Sequence, residues 1–329
     1  MIFYKTSSFG NDFIEIDLNE LSLPSGRRPL GGLASAMPRR PHGGLTCPQD
    51  RRPLGGSREQ KDRQPHGGLP KGIGKGELAR RLCDRQRGVG ADGVVFFRKE
   101  NNKFGFEIFN RDGGAAELSG NGMAGLAAVL LQRRLAASPI VLRTAVGRRR
   151  VELLERRGRC FVLDVEIGAP DFADRGFFPF LRGPRSRRPL GGLDEGQGPY
   201  RVAGVEFHPV AVGNPHAVVI CRGPLEDAKL AALGEKIGGH GMFPKGVNVE
   251  FVRPVDDGVC RVYFYERGVG PTLASSTGSA AVFAVLRRLG LAKESLAVES
   301  GGDPVPVSWR DGIRVRNVTQ LVCRGDFFL

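Results

Sequence analysis

The chain has 329 residues, of which 40% are hydrophobic and 26% charged, and its formal net charge at pH 7 is +14. This length is sufficient for two domains with separate cores, and the composition is that of an ordinary globular protein. No stretch approaches the roughly 18 consecutive apolar residues that span a bilayer. The first residues predict a strand rather than a secretory signal, so we expect a cytoplasmic protein with no membrane partner.

The six cysteines are scattered along the chain and none forms a C-x-x-C pair. This distribution disfavours both a metal site and a disulfide framework. Most of the cysteines lie within apolar runs, so we expect reduced, buried thiols that act as small hydrophobic side chains.

Much of the positive charge lies in one repetitive segment. Residues 27–70 contain nine Lys or Arg and three Asp or Glu. Units of the type RRPLGGL recur there every 12 residues, and a fifth copy lies far along the chain; they begin at Arg27, Arg39, Arg51, Arg63 and Arg187.

Proline and paired glycines at this spacing break helices and strands, and the units carry too little apolar surface to form a core. We therefore predict disordered insertions at 27–70 and 185–199. No aromatic residues are interleaved with the basic ones, so nucleic acid is disfavoured as a partner. The alternative is a basic tether for RNA or an acidic partner, which deletion of 27–70 would test.

The remainder of the chain is an internal duplication. The stretch GNDFIEID at 10–17 resembles GNPHAVVI at 213–220, and FGFEIFN at 104–110 resembles CRVYFYE at 260–266. Asn110 and Glu266 are 156 positions apart, as are Ser119 and Ser275. The chain therefore predicts two similar halves in the same order.

Each half combines short strands with one strongly apolar helix. The apolar helices are predicted at 120–134 and 277–291, and amphipathic helices at 74–86 and 226–238. A helix that is apolar on all sides is buried, so each should pass through a domain with a sheet around it. We expect an α+β fold of two pseudo-symmetric domains with a cleft between them.

Both apolar helices begin at a serine, Ser119 and Ser275, followed by SGNG and SSTG sequences. A helix N-terminus presents unpaired N–H groups and partial positive charge, and glycines allow a ligand to approach the backbone. Two such ends facing one cleft would bind a carboxylate. A serine at this place is also an ordinary N-cap, but two copies at matched spacing favour a ligand site.

These motifs resemble the diaminopimelate epimerase family, cofactor-independent amino-acid racemases and epimerases. The resemblance rests on GNDFIEID, LCDRQRGVGADGVV, FNRDGGAAELSGNG, VGNPHAVV, FPKGVNVEFV and ERGVGPTLASSTGSA, which occur in the family's order and cover the chain apart from the two insertions. It implies interconversion of LL- and meso-diaminopimelate in lysine biosynthesis by two-base proton transfer, with no PLP, metal or nucleotide cofactor. The resemblance leaves open whether the protein forms a homodimer.

The resemblance also implies the site residues. The catalytic positions, occupied in the family by cysteines, fall at Ser119 and Ser275. The backbone at Gly120-Asn121 and Ser276-Thr277 would hold the reacting α-carboxylate. The side chains implied to line the substrate pocket are Asn11, Asn110, Asn214, Asn248, Glu266 and Arg267.

The sequence departs from the family pattern at several positions. Both catalytic cysteines are serines, the glycine after the second cysteine is Ser276, an arginine after GNG is Ala124, and a histidine near the start is Ser7 or Ser8. A serine hydroxyl needs a neighbouring base to react, and none is apparent in the sequence. His216, a lone histidine in the GNPH motif, is interpreted as structural or ligand-orienting.

The predicted domains are 1–150 and 151–305, each resembling half of an epimerase, with 306–329 as strands that complete the first domain. The leading functional hypothesis is a diaminopimelate epimerase-like isomerase. The alternative is a diverged or inactive paralogue that binds an amino acid without epimerising it. A dehydratase that acts from one face is a third hypothesis.

Overall fold

The computed structural model describes residues 1–22, 72–101, 103–181, 199–224, 226–256 and 258–328. The insertions predicted at 27–70 and 185–199 lie outside these described residues, apart from Pro199.

The described part of the chain contains four α-helices and seventeen strands. The helices are α1 (Lys75–Cys83), α2 (Gly120–Gln132), α3 (Asp227–Gly238) and α4 (Ser276–Arg288). The strands of the first half are β1 (Ile2–Ser8), β2 (Asn11–Asp17), β3 (Gly93–Glu100), β4 (Lys103–Asn110), β5 (Ala115–Ala116), β6 (Ile140–Thr144), β7 (Gly147–Arg157) and β8 (Cys160–Gly168). The remaining strands are β9 (Tyr200–Val202), β10 (Val205–Ala211), β11 (Pro215–Ile220), β12 (Asn248–Asp256), β13 (Val259–Glu266), β14 (Gly270–Thr272), β15 (Ser295–Glu299), β16 (Val305–Trp309) and β17 (Ile313–Asp326).

The first half is a closed barrel around α2. Its strands pair in the order β1-β2-β3-β4-β6-β7-β8-β17, and β17 returns to pair with β1. The β2–β3 and β4–β6 pairs are parallel, and the other pairs are antiparallel. Closing the barrel in this way leaves no free edge on these strands.

The second half repeats this arrangement around α4. Its strands pair as β10-β11-β12-β13-β15-β16-β17, with parallel pairs at β11–β12 and β13–β15, the positions that correspond to the first half. A bridge between Asp171, just after β8, and Ala211 of β10 closes the ring. The prediction of an α+β fold with two pseudo-symmetric halves, each a sheet around an apolar helix, is confirmed.

Strands β8 and β17 belong to both barrels. They pair with each other from Ile313–Gly168 to Gln320–Cys160, while β17 also pairs with β16 at one end and with β1 at the other. Strand β7 runs through residue 150. The domain boundaries at 150 and 305 therefore stay a prediction. The shared strands β8 and β17 join the two halves.

The two central helices are buried and end in the same way. Residues 120–130 of α2 and 276–286 of α4 are all buried, as their apolar composition predicts. Each helix is followed, two residues after its last helical residue, by a residue with a positive φ angle: Arg134 at 55° and Gly290 at 73°. The N–H of Leu135 donates to Leu130 O, and the N–H of Leu291 donates to Leu286 O. A bond to the carbonyl five residues earlier is the pattern of a Schellman motif. Both helices therefore end slightly before the predicted positions.

The outer helices bury one side only. Helix α1 buries Leu78, Ala79, Leu82 and Cys83, and α3 buries Gly234 and Ile237. Within the described ranges, no helix is long and apolar enough to cross a membrane. The five described cysteines are free. Cys83 and Cys260 are buried, as expected from the sequence, whereas Cys160 and Cys221 are half-buried and Cys323 is exposed.

Glu15 is a fully buried carboxyl inside the first barrel. It accepts a hydrogen bond from Thr6 Oγ1 at 3.2 Å, and its second oxygen has no partner among the described residues. A Cβ built on Gly125 would lie 2.3 Å from Glu15 Oε1, so the absence of a side chain there makes room for the carboxyl beneath α2. Burial raises the pKa of Glu15 well above its usual value, and the Thr6 hydrogen bond only partly opposes this.

We expect Glu15→Gln to stabilise the protein at neutral pH. A raised folded-state pKa means that wild-type stability is retained below about pH 4.3 and lost as pH rises towards the folded-state pKa. The amide cannot ionise, so its stability advantage should grow between about pH 5 and pH 8 in urea unfolding. The exposed Glu155 provides the control variant, Glu155→Gln. Parallel pH profiles for wild type and Glu15→Gln would contradict this expectation.

Candidate active site

Ser119 and Ser275 occupy matched positions at the starts of the two buried helices. Ser119 caps α2 and accepts a hydrogen bond from Gly122 N at 3.1 Å; Ser275 caps α4 and accepts one from Gly278 N at 3.1 Å. Their backbone angles agree within 6° in φ and 1° in ψ (−145°, 120° and −139°, 119°). Each serine is therefore an N-cap, and each hydroxyl keeps its hydrogen for another acceptor.

The two helix starts meet each other. A Cβ built on Gly120 would lie only 2.4 Å from the Ser276 Cβ, so a side chain at residue 120 cannot coexist with Ser276 as placed. The Ser276 hydroxyl donates to Asn121 Oδ1 and accepts from Asn317 Nδ2 at 2.6 Å. Two regions of unpaired N–H groups and partial positive charge thus converge where the halves meet.

A small cavity of about 30 Å³, lined by residues of both halves, lies beside these helix starts. Eight of the twelve predicted site residues line it, whereas Gly120, Asn121, Ser275 and Ser276 lie at the helix starts outside this lining. The eight are Asn11, Asn110, Ser119, Asn214, Asn248, Glu266, Arg267 and Thr277.

Glu266 is a half-buried carboxyl that lines the cavity. Its Oε1 accepts hydrogen bonds from Thr272 Oγ1 at 2.7 Å and from Asn11 Nδ2 at 3.5 Å. Burial raises the pKa of Glu266 to about 7, and hydrogen bonds from Thr272 and, more weakly, Ser275 oppose the rise. The sequence shows no base near either serine. In the structure the Ser275 hydroxyl is near enough to Glu266 to lower the pKa of that carboxyl, although the recorded hydrogen bond of this hydroxyl is the one from Gly278 N. A carboxyl with a pKa near neutrality can accept a proton from that hydroxyl.

The environments of the two serines differ. The recorded hydrogen bond of the Ser119 hydroxyl is the one from Gly122, and within the described residues no carboxylate or imidazole lies within hydrogen-bonding distance of it. The two helix starts therefore match in backbone geometry, and they differ in that the Ser275 hydroxyl influences the pKa of a carboxyl, Glu266.

Arg267 connects the two halves at one end of the cavity. Its guanidinium forms an ion pair with Glu117 of the first half and donates to Lys245 O at 2.9 Å. Its backbone is held by two predicted site residues: Asn110 Nδ2 donates to Arg267 O at 3.0 Å, and Arg267 N donates to Asn248 Oδ1 at 2.9 Å. A guanidinium fixed in this way is suited to bind an anionic ligand group.

One polar atom of the cavity wall has no partner. Asn11 Oδ1 is buried without a hydrogen bond from any described residue, and Asn11 lines the cavity. A buried unpaired acceptor is costly unless a ligand or water satisfies it. Asn11 can therefore accept a hydrogen bond from a ligand ammonium group.

Three residues near the site were not predicted as site residues. Asp92 lines the cavity and lies in the quoted GADG motif, which offered a signal. Glu117 lies two residues before Ser119 and pairs with Arg267. Asn317 lies on β17, far from every motif, so only the fold reveals its contact with Ser276. Among the described residues, no group of three or more His, Cys, Asp or Glu side chains could hold a metal ion.

The fold of two barrels around buried helices resembles that of solved structures. The structure of a hydroxyproline epimerase from Agrobacterium vitis with bound trans-4-hydroxy-L-proline matches with a TM-score of 0.62, covering 99% of this chain and 91% of that one. The sequences are 16% identical, so this likeness concerns the fold alone.

Sequence comparison identifies the family. The family model for diaminopimelate epimerase matches residues 68–173 and 209–319. The diaminopimelate epimerase of Carboxydothermus hydrogenoformans is 31% identical over 77% of this chain and 89% of its own length. That of Desulforudis audaxviator is 35% identical over 72% and 82%, respectively. The chain belongs to the diaminopimelate epimerase family and by this resemblance is an amino-acid isomerase.

The contact between the helix starts generates a stability prediction. Gly120→Ala should destabilise the protein by about 1–3 kcal/mol, because the new methyl group overlaps the Ser276 side chain. Adding Ser276→Gly should recover part of that loss, so the two changes should be non-additive in urea unfolding. Gly74→Ala is the control, since nothing lies within 4 Å of a Cβ at that position. Strict additivity of the two changes would contradict the proposed overlap.

Proposed function

We propose that this chain binds diaminopimelate between the halves, where the residues lining the small cavity converge, and interconverts the LL and meso forms by proton transfer at the α-carbon. The observation that carries the proposal is the matched placement of Ser119 and Ser275, one from each half, at helix starts that meet beside the cavity. Inverting a carbon centre by proton transfer requires one group on each of its faces.

The polar groups support a ligand with charge at both ends. The converging N–H groups at Gly120-Asn121 and Ser276-Thr277 suit the reacting α-carboxylate. Asn11 Oδ1 is an acceptor for an ammonium group. Arg267, whose backbone is held by Asn110 and Asn248 and whose guanidinium pairs with Glu117, keeps further N–H groups that can donate to a second carboxylate. This combination favours diaminopimelate over an amino acid with an apolar side chain.

Glu266 supports proton transfer on the Ser275 face. Its carboxylate can accept the Ser275 proton as the serine oxygen takes the proton from the α-carbon, so the charge ends on the protein rather than on a free alkoxide. On the other face, Ser119 would donate its hydroxyl proton to the carbon and be left as an alkoxide, which water must reprotonate. Because Ser119 has no comparable base, we expect slow turnover limited by the Ser119 face.

A second candidate function is binding without epimerisation. It is favoured by the fact that both serine hydroxyls accept helix-capping hydrogen bonds and only one lies near a base. In that case the cavity, the asparagines and Arg267 would be retained for ligand recognition.

The setting of the proposed activity follows from the family resemblance. We infer a role in lysine biosynthesis, in the cytoplasm, with no PLP, metal or nucleotide cofactor. The partner is a small amino-acid substrate, a homodimer is an assembly to test, and nucleic acid and membranes are not inferred as partners.

Deuterium incorporation tests the proposal. In D₂O, the wild-type protein should incorporate deuterium at Cα of LL- and meso-diaminopimelate, followed by NMR. The Ser119→Cys/Ser275→Cys variant should be about 10² to 10⁴ times faster, because thiols have pKa values near working pH. Incorporation by the double variant alone would establish the binding function instead. Incorporation by neither, together with no binding in calorimetry, would contradict the substrate assignment.

The pH profile tests the role of Glu266. If its carboxylate is the base for Ser275, wild-type deuterium incorporation should rise with pH and level off above about pH 7, where the group is ionised. Glu266→Gln should remove this step and slow incorporation by about 10² to 10⁴. Glu107→Gln, a change of an exposed glutamate, serves as the control. An unchanged step near pH 7 in Glu266→Gln would exclude Glu266 as the group that titrates.

A further inference from the structure

Behind one wall of the cavity lies a buried chain of three polar side chains. Glu250 Oε1 is 2.7 Å from His216 Nδ1, and His216 Nε2 is 2.9 Å from Asn214 Oδ1. Asn214 Nδ2 donates to Thr277 Oγ1 at 3.4 Å, and both of these residues line the cavity. His216 and Glu250 are 0% and 1% exposed, so water cannot replace either partner.

The strand pairing places these residues together. His216 lies on β11 and Glu250 on the adjacent parallel strand β12, where Glu250 is opposite Val218, two residues from His216. A Cβ built on Gly278 would lie 3.0 Å from Glu250 Oε1, so the carboxyl also lies against the first turn of α4. The pair is therefore held by two strands and a helix.

The orientation of the Asn214 amide and the tautomer of His216 determine each other. Asn214 Oδ1 can only accept, so the His216 Nε2 atom facing it must carry a hydrogen. The remaining ring nitrogen then shares a proton with Glu250, either as an imidazolium beside a carboxylate or as a neutral ring that accepts from a protonated acid. Burial raises the pKa of Glu250, while His216 opposes that rise. In both arrangements, Nε2 remains protonated.

We infer that His216 and Glu250 are positioning residues, which hold the Asn214 amide with its N–H groups towards the cavity and so make that wall specific for a ligand carboxylate. This inference rests on the proposed function and deepens it. A flipped amide would present its oxygen to the cavity and would repel a carboxylate. His216 thereby selects ligand charge without touching the ligand.

The first arm of the test needs no ligand. Nitrogen-15 NMR of the full chain with labelled histidine reports which ring nitrogens are protonated, and the chain has only five histidines. His216→Gln assigns the signal, and His240→Gln, which changes an exposed residue, is the control. We expect a protonated Nε2 at His216 between pH 6 and 8, both in wild type and in Glu250→Gln, whose amide can donate to Nδ1. An unprotonated Nε2 in wild type would overturn the inference, whatever the protein binds.

The second arm is a double-mutant cycle on diaminopimelate binding, measured by calorimetry. His216→Leu should weaken binding about tenfold to a hundredfold, the scale of a hydrogen bond to a charged group. In an Asn214→Ala background, the same change should have almost no further effect, because His216 acts through Asn214. Equal losses in both backgrounds would show a merely structural role and overturn the inference.

The two arms separate the inference from the proposed function. If wild type fails to bind diaminopimelate while His216 Nε2 is protonated, the substrate assignment fails and the amide orientation is supported. If His216→Leu does not fold, Glu250→Leu replaces it in the cycle, since loss of the carboxyl frees the ring to change its tautomer. Glu250→Leu should then weaken binding more than Glu250→Gln, and equal effects would overturn the inference.

Discussion

The close approach of two buried helix N-termini constrains the rest of the structure. Gly120 and Ser276 are so near to each other that a single added methyl group would overlap the opposite side chain. This contact fixes the distance between the halves, and through it the position of every group that lines the cavity. The barrels surround these helices and shield the converging N–H groups from bulk water, where their attraction for an anion would be weaker.

Backbone symmetry and chemical asymmetry coexist in this site. Duplication explains why Ser119 and Ser275 cap equivalent helices with nearly identical geometry. The side chains around them have diverged: Glu266 serves one serine, whereas Asn110, its counterpart by position in the first half, serves the backbone of Arg267. Two helix starts with the same backbone geometry therefore differ in the ionisable groups near their serines.

Local sequence patterns were sufficient for the architecture, and the family resemblance supplied the candidate site residues. Apolar composition identified the two buried helices, and the repeated spacing from Asn110 and Glu266 to the serines identified the duplication. The contacts that depend on three-dimensional packing could not be predicted. Nothing near Asn317 in the sequence indicates that it reaches Ser276, and no local pattern shows that Glu266 turns towards Ser275, because both depend on how the barrels pack together.

The shared strand β17 also affects how the protein can fold. Ser8 and Thr319, which bond to each other through their hydroxyls at 2.7 Å, are 311 positions apart in the chain. The first barrel therefore lacks one of its strands until β17 has been synthesised, although all its other strands are synthesised much earlier. Contacts over such distances slow folding and leave sheet edges open meanwhile. In this protein the second half must be made before the first can close, so the two barrels are completed together.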